Sequence, residues 1–238
     1  MWGIIPAAGV GSRIQPLAFS KELLPLQDGS TERPRAVSDY LVERLRLGGA
    51  TKICFVISPR KSDILEYYGS RVEGAHTCFV VQPRPAGLCD AVFQPAPLIG
   101  PDELVMVGLP DTVWFPVNGF QALDRSMLSF LLFPVEEPRH FDAVVMNDAG
   151  AVQEIQVKRP DASSHWIWGA FQMPGRVYHE LHALWEQRGR ADEFIGTLVN
   201  AYLARGGAAN GVRAGTSYLD VGTLSGYRDA LKALEVHA

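Results

Sequence analysis

The sequence predicts an α/β fold, a three-layer sandwich in which helices cover a mostly parallel, Rossmann-like central sheet. The first observation is that strand-like and helix-like segments alternate along most of the 238 residues. The second is that several strand-like segments are short apolar runs, such as residues 52–58, as expected for strands buried on both faces. The third is that hydrophobic residues make up 47% of the chain, enough to build a sizeable core.

The individual elements follow from periodicity and from end signals. Strands are predicted over 2–6, 52–58, 77–81, 103–109, 142–146, 151–157 and 166–173. Helices are predicted over 37–47, 62–68, 88–93, 176–187, 193–204 and 224–236. The first helix ends at Gly48-Gly49, a typical helix end, and the second is expected to turn Leu65 and Tyr68 to the core. Residues 133–140 form the only linker-like stretch, so a single domain over residues 1–238 is predicted.

The composition of the chain argues against several classes of protein. The net charge of −4 argues against a protein that coats nucleic acid or an anionic membrane. The cysteines, Cys54, Cys78 and Cys89, lack metal-ligand spacing, which favours a reducing cytoplasm over a disulfide-held fold. Neither a signal peptide nor an apolar stretch of membrane-spanning length is present, so a soluble cytoplasmic protein is expected.

Polar features follow three of the predicted strands at their carboxyl ends. They are the glycine loop over 7–13, the segment over 82–87 and Asp111. In an open α/β sheet, ligands bind outside the carboxyl ends of the strands. The co-location of these features predicts a nucleotide site at that edge.

The glycine loop is suited to a polyphosphate. Its small residues are Ala8, Gly9, Gly11 and Ser12. Without bulky side chains, the backbone N–H groups can approach phosphate oxygens, and Arg13 and Lys21 can supply positive charge. The spacing matches neither GxGxxG, because position 14 is Ile, nor the Walker pattern. An ordinary tight turn between strand and helix is the alternative for the glycines alone.

Four motifs in order resemble the sugar-phosphate nucleotidylyltransferases. The loop continues as Gly-Ser-Arg-Ile-Gln-Pro-Leu over 11–17 and Ser-Lys-Glu-Leu-Leu-Pro-Leu over 20–26, similar to GxGxR(L)xPL and the PKxLLP segment. Gln82-Pro83 with Gly87-Leu88 resembles the base-reading loop, and Leu109-Pro110-Asp111 resembles L(G/P)D. Residues 218–223 resemble W-x-D-x-G-T. The bacterial UTP:glucose-1-phosphate uridylyltransferases are the most similar members, followed by the thymidylyltransferases.

The resemblance implies a fold of the nucleotide-diphospho-sugar transferase type and a role for each matched residue. Arg13 and Lys21 are the expected catalytic residues. Asp111 and Asp220 are the expected ligands of Mg²⁺. The glycine loop, Arg13, Gln82 and Gly87 are expected to bind the nucleotide. The nucleotide-binding part would span about residues 1–115 and the sugar-binding part 116–238.

The sugar side departs from the family pattern. Where the family has E-K-P, this sequence has Lys158-Arg159-Pro160, so a cation replaces the carboxylate that binds a sugar hydroxyl. Either the sugar differs from plain glucose, for example by an acidic or modified group, or another residue recognises it. The sugar phosphate-binding residues expected from the alignment are Lys21, Lys158, Arg159 and Gly169. Trp166 and Trp168 alternate along one strand and either stack on a sugar or, more in keeping with their type, pack in the core. Thr223 is better placed than Asp220 to cap the last helix.

The expected substrates are a hexose 1-phosphate and a nucleoside triphosphate, with UTP or dTTP favoured because Gln82 fits a base with a keto edge. No nucleic acid or membrane partner is expected, and a homo-oligomer is left open. Two alternatives remain: a non-catalytic nucleotide-sugar-binding relative, and a nucleotidylyltransferase for another phosphorylated acceptor such as phosphocholine. The presence of both Asp111 and Asp220 argues against the first of these.

Overall fold

A computed structural model describes residues 1–27 and 34–236 of the chain. The helices are α1 (Val37–Leu47), α2 (Ser62–Tyr68), α3 (Gly87–Phe93), α4 (Gly175–Gln187), α5 (Ile195–Ala204) and α6 (Leu224–Val236). The strands of the first half are β1 (Trp2–Pro6), β2 (Pro25–Leu26), β3 (Arg35–Ala36), β4 (Lys52–Ile57), β5 (Arg71–Val72), β6 (Ala75–Val81), β7 (Leu104–Gly108) and β8 (Thr112–Phe115). Those of the second half are β9 (Leu128–Pro134), β10 (Asp142–Met146), β11 (Val152–Val157), β12 (Trp166–Pro174), β13 (Ala209–Val212) and β14 (Ser217–Asp220).

A mixed ten-stranded sheet runs through the described part of the chain in the order β11-β10-β12-β7-β1-β4-β6-β5, with β9 joined to β12 and β13. Strands β7, β1, β4 and β6 are parallel neighbours. Strand β12 runs antiparallel to β7 and to β9, and β10 runs antiparallel to β11. The parallel part is the region where the sequence predicted alternating strands and helices.

Different sets of helices pack against the two faces of the sheet. Consecutive strand residues point to opposite faces, and Ile4 and Ile5 of β1, both fully buried, accordingly belong to different core clusters. Ile4 packs in the cluster that contains residues of α3, α4 and α5. Ile5 packs with residues of α1 and α2. Helices therefore cover both faces, which confirms the predicted three-layer α/β sandwich.

A third, smaller cluster lies beside α1. Val37 and Tyr40 of α1 pack there with Val113 of β8 and with Ala230 and Leu234 of α6. The N-terminus of α6 is capped by Thr223, whose Oγ1 accepts a hydrogen bond from Gly226 N–H at 3.0 Å. This confirms the expectation that Thr223 rather than Asp220 caps the helix. None of the described helices is both long and apolar enough to cross a membrane.

Two sequence-based expectations about the fold are wrong. Leu65 of α2 is 46% exposed, and Ile64, fully buried, faces the core with Tyr68 in its place. Residues 133–140 are not a linker, because Phe133 is a fully buried residue of β9 and Pro138–His140 form a short 3-10 helix. Strand β9 was missed, although six of its seven residues are buried. Strands β8, β13 and β14 and the short β2, β3 and β5 were not predicted either.

Candidate functional site

The parallel strands bring the predicted features to one edge of the sheet. Because β7, β1 and β6 run in the same direction, the glycine loop, the segment over 82–87 and Asp111 all follow strand ends on that edge. Strand β12 reaches the same edge from the opposite direction, since Ala170 pairs with Gly108 at the end of β7. Gly169 therefore also lies at this edge.

A small antiparallel sheet brings Asp111 and Asp220 together. Strand β14 pairs with β8 so that Asp220 lies opposite Thr112, the residue after Asp111. The N–H of Val221 donates to the carbonyl of Asp111 at 2.8 Å, and the N–H of Gly222 donates to Oδ1 of Asp220 at 2.8 Å. The two carboxylates, far apart in sequence, thus face the same space.

Gly222 leaves room for both carboxylates. A Cβ at position 222 would lie 2.9 Å from Oδ2 of Asp111, from Oδ1 of Asp220 and from Nη2 of Arg13. Atoms of three charged groups therefore converge on one small volume that a methyl group would fill.

Each carboxylate is paired with one of the predicted catalytic cations. Lys21 Nζ is hydrogen-bonded to Asp111 Oδ2, and Arg13 Nη1 lies 3.2 Å from Asp220 Oδ2. Burial opposes the charge on both Lys21 and Asp111, but their mutual attraction outweighs it. The result is a pKa of Lys21 above its ordinary value and a pKa of Asp111 below it. The Arg13 side chain is 61% exposed.

The carboxylate pair fits a magnesium ion. Mg²⁺ is usually bound by one or two carboxylates together with substrate phosphates, rather than by a cage made entirely of protein ligands. The convergence of Asp111 and Asp220 beside Gly222 provides two such oxygens. No group of three or more His, Cys, Asp or Glu side chains suited to a metal occurs within residues 1–27 and 34–236.

The glycine loop lies against Lys21. Gly11 adopts a φ of +69°, which favours glycine, and a Cβ there would lie 2.8 Å from Cδ of Lys21. Ala8 is buried, whereas Gly9, Ser12 and Arg13 are exposed. In the described part of the chain, no protein group accepts a hydrogen bond from the N–H groups of residues 9–13. The loop therefore presents free donors beside two cations, as expected for a polyphosphate cradle.

Helix α2 supports the Lys21 segment from behind, through contacts that the sequence analysis missed. Lys61 Nζ, in a buried residue, donates to Ala7 O and to both carboxylate oxygens of Glu22, each at 2.7 Å. Ser20 N–H and Oγ–H donate to the Asp63 carboxylate at 2.6 and 2.7 Å. Burial raises the pKa of Glu22 and lowers that of Lys61. This ion pair ties the end of β1 to the residues that flank Lys21.

Gln82, the residue after β6, and Gly87, the first residue of α3, are neighbours in space. Gln82 is 3% exposed, and its Nε2 lies 3.4 Å from Gly87 O. Gly87 has a φ of +88°, and a Cβ there would lie 2.7 Å from Cα of Glu193. The two predicted base-reading residues are therefore held together, although no hydrogen bond or ion pair among the described residues joins them to the Asp111 and Asp220 pair.

Lys158 and Arg159 are not part of the charged cluster around Asp111. Lys158 has a positive φ of 46° and places its Nζ 4.3 Å from the centre of the Phe194 ring. Arg159 is bound to Asp161 and Glu154, with Nη2 donating to Asp161 Oδ2 at 2.9 Å. Their role in binding the sugar phosphate stays a prediction.

Asp142 is a second functional candidate that the sequence analysis missed. It begins β10, and Trp168 Nε1 donates to its Oδ2 at 3.4 Å. Burial raises its pKa, opposed by the Trp168 hydrogen bond and the positive charge of Lys158. Trp168 itself packs against Phe130 and Phe171, so the core alternative applies to this tryptophan.

Gly169 follows Trp168, the hydrogen-bond partner of Asp142, and lies against Tyr218 of the strand that carries Asp220. A Cβ at Gly169 would lie 2.5 Å from Cε2 of Tyr218, two residues before Asp220. Burial and the charges of Asp220 and Asp111 raise the pKa of the Tyr218 hydroxyl, and Asp142 adds a smaller effect in the same direction. Tyr218 thus lies within electrostatic reach of all three carboxylates.

Comparison with known proteins gives consistent matches over nearly the whole chain. The profile of the family described as nucleotidyl transferase matches residues 2–236. A UTP–glucose-1-phosphate uridylyltransferase of Haloferax volcanii is 24% identical over 93% of this chain and 91% of its own. A glucose-1-phosphate thymidylyltransferase of Neisseria meningitidis is 26% identical over 97% of this chain and 81% of its own.

A solved structure shares the fold. It is a Bacillus anthracis protein, provisionally named a glucose-1-phosphate thymidylyltransferase and crystallised with sucrose. The two chains are 23% identical and superpose with a TM-score of 0.82, over 98% of this chain and 95% of the other.

Proposed function

Because this chain belongs to the nucleotidyl transferase family, we propose that it is an enzyme that joins a sugar 1-phosphate to a nucleoside triphosphate. The products would be a nucleoside diphosphate sugar and pyrophosphate. The observation that carries the proposal is the convergence of two carboxylates and two cations, Asp111, Asp220, Arg13 and Lys21, beside Gly222. The named activities of the Haloferax and Neisseria relatives support it.

The reaction is a single displacement at phosphorus. An oxygen of the sugar phosphate attacks the α-phosphorus, and the bond from that phosphorus to the bridging oxygen of the β-phosphate breaks. The electron pair leaves with pyrophosphate. Because the attacking oxygen is already anionic, no protein base is needed, and catalysis consists of bringing two polyanions together and neutralising them.

The two cations have separate tasks in this scheme. Lys21, held against the glycine loop and backed by Glu22 and Lys61, would bridge the α-phosphate and the sugar phosphate. The exposed Arg13 would bind the β- and γ-phosphates, on which negative charge grows as the bond breaks. The free N–H groups of residues 9–13 would hold the same phosphates.

Asp111 and Asp220 would hold Mg²⁺, which neutralises phosphate charge when bound. Lys21 and Arg13, which pair with these carboxylates in the structure, would turn to phosphate oxygens in the complex with substrates. The ion pairs between these residues thus keep the cations beside the place where the substrates bind.

The finer assignments are a pyrimidine triphosphate, UTP or dTTP, and a hexose 1-phosphate. Gln82 and Gly87 would read the base, within a nucleotide-binding part over about residues 1–115. The sugar would bind in the remainder, where Asp142 offers a partly buried carboxylate next to Trp168 and within the field of Lys158. We assign to Asp142 the hydroxyl-accepting role that the family gives to the glutamate replaced by Lys158. The free cysteines support a cytoplasmic location.

The variant Asp111→Asn tests the proposed site, with Asp102→Asn as the matched control at an exposed position. Asp111→Asn should lower kcat/KM for pyrophosphate release in Mg²⁺ by about 100-fold or more, the scale of losing one transition-state contact. Chelation of Mg²⁺ should abolish the activity of the wild-type protein. Activity of Asp111→Asn equal to that of Asp102→Asn would overturn the assignment of Asp111.

A further inference from the structure

The orientation of the Gln82 amide is set by a residue outside the motifs. Gln82 Nε2 donates to Asp90 Oδ2 at 2.6 Å, and its second proton points toward Gly87 O at 3.4 Å. The backbone N–H of Gln82 is bound to Ile57 O at 2.9 Å, which fixes the residue at the end of β6. Asp90 lies on α3, in the first turn after Gly87.

A carboxylate fixes the orientation of a neighbouring side-chain amide. An amide has a donating NH₂ end and an accepting oxygen, whereas an ionised carboxylate only accepts. The NH₂ end of Gln82 must therefore face Asp90, and the alternative orientation would bring two acceptors together. Gln94 Nε2 donates to the same Asp90 oxygen at 3.0 Å, which holds the carboxylate in place.

The other end of the amide is consequently presented as an acceptor. Gln82 Oε1 receives no hydrogen bond from residues 1–27 or 34–236. The Gly87 N–H also donates to no acceptor in the same described ranges, and Glu193 O instead accepts from the N–H groups of Leu88 and Cys89. Gln82 and Gly87, which are in contact through Gln82 Nε2 and Gly87 O at 3.4 Å, therefore offer one acceptor and one donor that have no partner among the described residues.

We propose that Asp90 is a specificity-determining positioning residue, which makes Gln82 an acceptor and so selects triphosphates of uracil or thymine over cytosine. This rests on the proposed function, in which Gln82 and Gly87 read the base. Uracil and thymine present an N3–H donor beside carbonyl acceptors, which matches Gln82 Oε1 and Gly87 N–H. Cytosine presents an unprotonated N3, so two acceptors would face each other. UTP and CTP have the same size and differ only at this edge.

The test compares the affinities for UTP and CTP by titration calorimetry in wild type, Asp90→Asn and Asp102→Asn. Asparagine is isosteric with aspartate but can present either a donor or an acceptor, so Gln82 becomes free to turn over. Wild type and Asp102→Asn should bind UTP at least ~10-fold more tightly than CTP, the scale of one buried hydrogen-bond mismatch. Asp90→Asn should lower that ratio by ~5-fold or more, mainly by gaining affinity for CTP.

A second variant, Asp90→Ser, removes the carboxylate in a different way and should relax the same ratio. If Asp90 had a purely structural role, the variants would bind UTP and CTP more weakly by the same factor, and the ratio of the two affinities would stay unchanged. That result in both variants, or equal affinities of wild type for UTP and CTP, would overturn the inference about Asp90 alone. If wild type bound none of the triphosphates, the proposed function would fall with it.

Discussion

Asp142 and Asp111 are both carboxylates, yet their surroundings shift their pKa values in opposite directions. Asp111 has Lys21 against it, which lowers its pKa in spite of burial. Among the described residues, burial of Asp142 is opposed by a hydrogen bond from the Trp168 indole at 3.4 Å and by the positive charge of Lys158, but burial prevails and the pKa of Asp142 is raised. A carboxylate kept in such surroundings at a cost to stability is a candidate for function.

The variant Asp142→Asn should show separately what the Asp142 charge costs in stability and what it contributes to binding of the sugar 1-phosphate. A raised pKa in the folded state means that ionisation of Asp142 destabilises the fold once the pH exceeds its ordinary pKa near 3.8. Asp142→Asn should therefore melt at a higher temperature than wild type at pH 7, and this difference should vanish as the pH falls below about 3.8. The same variant should raise KM for the sugar 1-phosphate by about 10-fold, through loss of one charged hydrogen-bond acceptor.

Thermal unfolding and pyrophosphate release, measured on the same preparations, check both effects. Asp148→Asn, at an exposed position that follows β10, is the control. A gain in melting temperature that persisted at low pH would contradict the burial argument. An unchanged KM would remove Asp142 from the sugar site.

At the scale of single residues, the sequence was enough to predict Arg13, Lys21, Asp111 and Asp220 as site residues, because each lies in a short motif with its own spacing. Asp90, Asp142 and Lys61 could not be found in this way. Their roles depend on a partner that folding brings close, such as Glu22 for Lys61, and no local pattern indicates that partner.

At the scale of elements, helix α2 links the site to the core. It has only seven residues, but Lys61 and Asp63 at its start bind Glu22, Ala7 and Ser20 on both sides of the glycine loop. Lys61 and Glu22 are 7% and 1% exposed, so each depends on the other for neutralisation.

Lys61→Met should therefore destabilise the protein by about 3 kcal/mol, because it leaves a buried carboxylate without its partner. The double variant Lys61→Met, Glu22→Leu removes both charges and should recover most of that stability. Urea unfolding measures both changes. If the pair positions Lys21, the double variant should still have a lower kcat than wild type. Recovery of full kcat along with stability would show that the pair acts only on folding.

A clear end signal in the sequence made the boundary of an element predictable. Helix α1 was predicted with its observed bounds because Gly48-Gly49 ends it, and Gly49 has a φ of +99°. Strand β9, whose run over 128–134 is mostly apolar apart from Ser129, was missed although Ser126 N–H donates to Asp124 Oδ1 in the segment before it. Leu65 was assigned to the core because periodicity alone could not choose between two adjacent faces of a short helix.

At the scale of the whole molecule, the family and the three-layer fold that the sequence predicted are confirmed. The alternation of segments was enough to predict the strands of the parallel half of the sheet, β1, β4, β6 and β7. It was not enough for the other half, where β9 pairs antiparallel with β12 and parallel with β13. Those pairings depend on packing between distant segments, which the order of elements does not determine.

Glu103 joins three segments of the fold. It accepts hydrogen bonds from Trp2 Nε1 of β1 at 2.8 Å, from Lys52 Nζ of β4 at 2.7 Å and from Gly100 N–H at 2.9 Å. Although burial would raise its pKa, these partners lower the pKa of Glu103 to about 2. A lowered pKa stabilises the fold above the ordinary value of 4.5, and this contribution is lost as the pH falls through about 2.

Glu103→Gln should accordingly be less stable than wild type at pH 7. The difference in the free energy of unfolding should shrink as the pH is lowered from about 4.5 toward about 2. Urea unfolding at pH 7 and at successively lower pH values checks this, with Glu136→Gln at an exposed position as the control. A difference between the variants that does not depend on pH would mean that packing, and not charge, accounts for the role of Glu103.

The most direct test of the central claim, that this site transfers a nucleotidyl group to a sugar 1-phosphate, is identification of the product. The protein is incubated with Mg²⁺, with each of UTP, dTTP, CTP, ATP and GTP, and with a panel of sugar 1-phosphates and phosphocholine. Pyrophosphate and the nucleotide product are then quantified by mass spectrometry. We predict equal amounts of pyrophosphate and of a UDP- or dTDP-sugar with at least one hexose 1-phosphate. Binding of the triphosphates without pyrophosphate release, or a product formed only from phosphocholine, would contradict the claim.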